Sequence, residues 1–130
     1  MAEYRRTMVS LSQDREIAEA MFKCEEVGWK NLEETDFFRL GIAIASMLRV
    51  FEQAYIYRYE GKVDDRTWAS MKGMMSASFR YRVSFDYFEA RRETFTQVFV
   101  DFVEREYADQ LTTRRAQEVL PAQTSEGAAP

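Results

Sequence analysis

The side chains able to do chemistry here are few in type. Histidine is absent from the 130 residues, and there is one cysteine, Cys24. Imidazole metal ligands, Ser-His-Asp triads and Cys-His pairs are therefore excluded within the chain. The Glu-x-x-His motif of di-iron bundles is excluded for the same reason. Carboxylates, phenols and arginines remain. Three acidic pairs, Glu25-Glu26, Glu33-Glu34 and Asp64-Asp65, fall near expected helix ends, and acids at a helix N-terminus complement its dipole without any metal. No metal or cofactor is expected.

Glu52 is the most conspicuous carboxylate, because it interrupts an apolar stretch in RVFEQAYIYRYEGKVDDRTW, residues 49–68. A half-buried carboxylate needs a donor, since an unpaired buried charge costs several kcal/mol. The indole N–H of Trp68, a tyrosine hydroxyl or an arginine from the fourth helix, expected around Ser84–Arg92, are the donors this reading offers. Glu52, Tyr55, Gly61 and Trp68 are accordingly expected to act as structural anchors. General acid-base chemistry by Glu52 with Tyr55 or Tyr59 is physically allowed, provided a concave pocket surrounds them.

A second group mixes arginine with aromatics. Arg80, Arg82, Arg91 and Arg92 interleave with Phe79, Tyr81, Phe85, Tyr87 and Phe88. Such a mixture suits an anionic small molecule, a lipid headgroup or a nucleic acid. Overall, 18 basic against 22 acidic side chains give a formal net charge of -4, which argues against general nucleic-acid binding. Cys24 shares a helical face with Ile17 and Met21 and reads as a buried thiol. Met71, Met74 and Met75 beside Trp68 read as core or as an adaptable groove.

The elements that must position these groups are all helical. A first helix starts near Ser12 or Asp14 and ends at Gly28, which reaches positive φ cheaply. Asn31, followed three residues later by Glu34, signals the start of a long helix over about 33–59. With Phe37 at zero and 100° per residue, Leu40, Ile44, Leu48, Phe51 and Tyr55 lie within about 60° of it. Ile42, Val50, Ile56 and Tyr57 lie on the other side, which makes this helix apolar nearly all round and marks those four residues as an interface candidate.

Gly61 ends the long helix, and Asp64 or Asp65 caps a third. A short fourth helix is expected around Ser84–Arg92. Thr96 caps a fifth, with Phe95 and Val100 as a hydrophobic staple. FRYRVSF (residues 79–85) alternates as a strand does but has no partner strand. The expected fold is all-α, a single-domain bundle of four to five helices over 12–111. A loose arm (1–11) and a flexible tail (112–130) flank it. The longest uncharged apolar run in the central helix, LGIAIASML, has nine residues, too few to span a bilayer, and MAEYRRTMVSLSQDRE lacks the apolar stretch of a signal peptide. A cytoplasmic location is expected.

LSQDREIAEAM, LRVFEQAYIYRYEGKVDDRTW and YFEARRETFTQVFVDFVE together resemble a bacterial all-helical family of unknown function, over roughly residues 10–105. The middle block carries most of the resemblance: a Phe-Glu step, clustered tyrosines, Gly61 and Trp68. The resemblance implies a helical domain without assigned activity, often following one transmembrane helix, a feature not found in this sequence. The resemblance leaves function open; the surplus apolar surface of the long helix is what makes a non-enzymatic interaction domain, with a protein partner or a second copy, the expected function. Anion binding through the arginines is the alternative.

Overall fold

In a computed structural model, which describes residues 15–113 and 116, the described residues form an all-α fold with no strand. The principal helices are α1 (Arg15–Val27), α2 (Glu34–Tyr59), α3 (Asp65–Ser78), α4 (Arg82–Ala90) and α5 (Gln97–Glu106). Short 3-10 turns, Trp29–Asn31 and Arg92–Thr94, join α1 to α2 and α4 to α5. Residues 108–113 are also helical and carry Leu111 into the core. The expected arm at 1–11 and the start at Ser12 or Asp14 lie outside the described residues, as does most of the expected tail.

α1 and α2 run antiparallel, pinned along one edge by Arg39–Glu16 and by Lys23–Asp36 at 3.4 Å. Gly28 makes the sharp exit from α1 at φ 86. The guanidinium of Arg82 lies directly over it, and a Cβ there would stand 2.8 Å from the Arg82 Nη2. Asn31 does not cap α2. It sits in the 3-10 turn, where its side chain donates to the Val27 carbonyl at 2.8 Å. The N-cap residue is Glu33, which makes no side-chain capping bond.

Trp29 fills the space this turn creates. Its backbone N–H donates to Asp86 Oδ2 at 3.1 Å, and its ring meets Phe37 at 4.2 Å and Tyr87 at 5.6 Å between centroids. Gly41 lets the ring approach α2, since a Cβ there would lie 3.0 Å from the indole. A mid-helix glycine costs up to about 1 kcal/mol relative to alanine, and here close ring packing offsets it.

α2 ends in a Schellman motif. Lys62 N–H donates to the Tyr57 carbonyl at 2.9 Å, Gly61 N–H to Arg58 at 3.0 Å, and Gly61 has φ 74. That left-handed conformation is the physical reason for glycine here. Arg58 then ties the turn down, donating to the Val63 carbonyl at 3.0 Å and pairing with Asp65 at 2.6 Å. Asp64 caps α3 by accepting the Thr67 N–H at 2.7 Å. That bond holds its carboxyl below the ordinary range.

FRYRVSF is not a strand. Its first residues close α3 and turn, and Arg82 opens α4, two residues before the expected start. The pleat-like alternation is not carried into burial: Phe79, Val83 and Phe85 reach the core, but so does Ser84, while Tyr81 stays outside.

Candidate functional site

Among the described residues, a groove of about 420 Å³ lies between α1, α2 and the α3–α4 turn. Ala18, Met21, Phe22 and Glu25 of α1 form one wall. Ile44 and Met47 of α2 form the floor, and Ala77, Ser78, Arg80, Tyr81 and Ser84 the opposite wall. The size falls in the usual range for binding pockets, on the order of 300–1,000 Å³. Two large rings stand at its mouth, Phe22 at 74% and Tyr81 at 50% exposure. Exposed rings beside an apolar cleft offer a partner large apolar contact area.

Polar groups in the groove are occupied by local structure. Glu25 accepts the backbone N–H of Arg82, the first residue of α4. Ser78 donates to the Met74 carbonyl at 3.0 Å, and Ser84, buried, donates to the Ser78 carbonyl at 2.9 Å. What the groove offers a visitor is therefore apolar contact. Met21 and Met47 add adaptability, because unbranched thioether chains fit many shapes.

The groove does not include Glu52, Tyr55 or Tyr59. Glu52 is buried on α2 and accepts two charge-assisted bonds: from Arg49 Nη1 at 2.9 Å, and from the backbone N–H of Thr96 at 2.7 Å. The donors anticipated from sequence (Trp68, a tyrosine hydroxyl, an arginine of the fourth helix) are not these. Glu52 sits at the seam with α5, where it satisfies an N–H at the start of that helix. Arg49 extends the anchor, donating to the Thr94 carbonyl at 3.0 Å and lying 4.4 Å above the Phe95 ring. Tyr55 stacks on Phe102 at 4.2 Å, and Trp68 packs against both rings at 5.8 and 5.7 Å.

The four arginines do not converge. Arg80 and Arg82 precede or open α4, whereas Arg91 and Arg92 follow it, about 13 Å away along the axis at 1.5 Å per residue. Arg82 pairs with Asp86 at 3.3 Å, and Arg92 with Glu104 and, at 3.9 Å, with Glu89. The four α2 residues expected on one interface differ in exposure. Ile42 and Tyr57 are exposed, Val50 packs partly against the core, and Ile56 is half-buried.

Cys24 is fully buried, and among the described residues no cluster of cysteine and carboxylates could hold a metal ion. No described helix is long and apolar enough to cross a membrane. Two residues of consequence escaped the sequence reading, Trp29 and Phe22. Trp29 lies in a turn, where helical periodicity is silent. Phe22 falls next to the Ile17–Met21–Cys24 face, and the offset of one residue was the available signal. No protein-family model, curated protein or solved structure matches the chain.

Proposed function

We propose that this chain is a non-enzymatic interaction domain whose groove receives an apolar, helical segment of a partner protein. In this reading α2 serves as the central helix of a five-helix bundle, and α1 with the α3–α4 turn forms the jaws. The observation that carries the proposal is the pair of exposed rings, Phe22 and Tyr81, flanking an apolar floor of Ile44 and Met47. A helix presenting apolar residues at i, i+3 and i+4 matches a cleft between helices. Engagement of Glu25, Ser78 and Ser84 in backbone bonds supports binding over proton transfer. An anion site built on Arg80, Arg82, Arg91 and Arg92 is the less supported reading, because Arg82 and Arg92 are held by carboxylates and lie at opposite ends of α4.

Methyl NMR of the methionines tests this reading, titrating a panel of amphipathic helical peptides that differ only in apolar spacing. Saturable shifts concentrated on Met21 and Met47 are expected for at least one spacing. Phe22→Ser combined with Tyr81→Ser should weaken that binding about tenfold, the equivalent of about 1.4 kcal/mol. Shifts that never saturate, or that survive the double substitution unchanged, overturn it.

A further inference from the structure

The outward face of α2 is a second apolar surface, distinct from the groove. Phe38 and Ile42, four residues apart and so on one face, are 67% and 57% exposed. Continuing along this face come the small residues Ala45 and Ser46, then Arg49. Glu34, exposed in the first turn, stands at the other end. Read from end to end, the face runs acid, large apolar, small, base.

That order is self-complementary only when reversed. A two-fold axis crossing α2 near Ile42 brings Ile42 against its own copy. It sets Phe38 over Ala45 and Ser46 of the second copy, a large side chain where the facing residues are small. The same operation brings Glu34 beside Arg49 at both ends. A parallel pairing instead sets Phe38 on Phe38 and Glu34 on Glu34, losing the fit and adding like-charge repulsion. Arg49 can serve both purposes: its side chain is 48% exposed. Of its five N–H donors, the Nη1 pair goes to Glu52 and Thr94.

We infer that this face is a docking surface for a second copy of the chain, forming an antiparallel α2–α2 homodimer about Ile42. From residue 34 to 49 the face is about 24 Å long and about 10 Å wide. That is less than the ~800 Å² per partner of a stable complex, so dimerisation is weak and concentration-dependent. The inference goes beyond the groove reading and stands without it.

Sedimentation velocity across a wide concentration range, with oxidative cross-linking, tests the dimer. A monomer–dimer equilibrium is expected, with Ile42→Glu weakening association at least ~30-fold by setting like charges across the axis. Because Ile42 is exposed, the variant's helical circular dichroism should match the parent's. Ile42→Cys should form a disulfide-linked dimer under mild oxidant. Gln53→Cys, exposed on the same side but about 16 Å further along the helix, should not. A chain that stays monomeric up to about 1 mM, the weak end of specific association, overturns the inference, as does a dimer indifferent to Ile42→Glu. Equal cross-linking at both positions overturns the antiparallel arrangement. Phe22→Ser with Tyr81→Ser should leave dimerisation unchanged, which separates failure of this inference from failure of the groove.

Discussion

The two halves of α2 are packed by different means. Its C-terminal half meets α3 and α5 through rings in mutual contact: Tyr55 on Phe102, Trp68 against both, and Phe99 linking Phe102 to Phe88 and Phe95. Its N-terminal half meets α1 and α4 through edge ion pairs, one indole and a floor that stays open. Aromatic residues are abundant in both. In the first region Tyr55, Trp68, Phe99 and Phe102 lie on one another and build a core, while Tyr57 and Tyr59 stay at the surface. In the second, Phe22, Phe38 and Tyr81 lack that cover and face outward. The difference teaches that composition alone does not separate a scaffold from a binding surface; the neighbours of each ring do.

The contrast makes its largest demand on paired deletions. Phe99→Ala, at a fully buried position, should cost about 3–5 kcal/mol in urea unfolding, combining lost transfer energy with a cavity. Phe22→Ala should change stability by no more than about 0.5 kcal/mol, as surface substitutions usually do. A loss above about 1.5 kcal/mol at Phe22, far outside that surface range, would make the groove part of the core and erase the comparison.

Glu52→Ala comes next in size. Removing the acceptor of two charge-assisted bonds should cost about 1.5–3 kcal/mol, with the damage concentrated at the α5 end. Hydrogen exchange at the Thr96 amide should accelerate more than exchange at the Trp29 amide, which Asp86 holds at the opposite end. Glu52→Gln, which keeps one acceptor oxygen, should lose less.

The smallest effect concerns alkaline stability. Burial pushes the Tyr107 phenol above its ordinary value of 10.0, while its 3.1 Å hydrogen bond with Ser76 acts in the opposite direction. The folded state therefore holds the phenolic proton more tightly than the unfolded state does. The associated stability is fully present below pH 10 and is lost as pH rises through the folded-state value. Tyr107→Phe should remove this part of the alkaline loss while leaving that contributed by other groups. Denaturation midpoints of the two proteins between pH 8 and 11 measure it.

Much of the helical order was legible because its signals are local. Gly61, Asp64 and Thr96 mark boundaries through backbone geometry that single residues dictate, and the stripe from Leu40 to Tyr55 follows from a 3.6-residue period. Tertiary partners are not written locally. Thr96 is the N-cap of α5 as expected, yet its side chain makes no capping bond; the distant Glu52 serves the backbone instead. Asn31 had the right spacing for a cap but lies in a turn shaped by Gly28 and Trp29. The groove was least legible of all, since it exists only where three separated segments meet. Periodicity assigned Met21 and Ile44 to buried faces without showing that a space was left between them.

The bond from Glu52 to Thr96 spans 44 residues, and this orders events in time. A helix of ten residues is marginal in isolation, because its nucleus is costly and each end leaves backbone groups unpaired. α5 therefore waits for α2 to offer both its ring surface and this carboxylate. During synthesis α2 emerges first, so the acid that closes the last seam is in place before the segment it closes has been made.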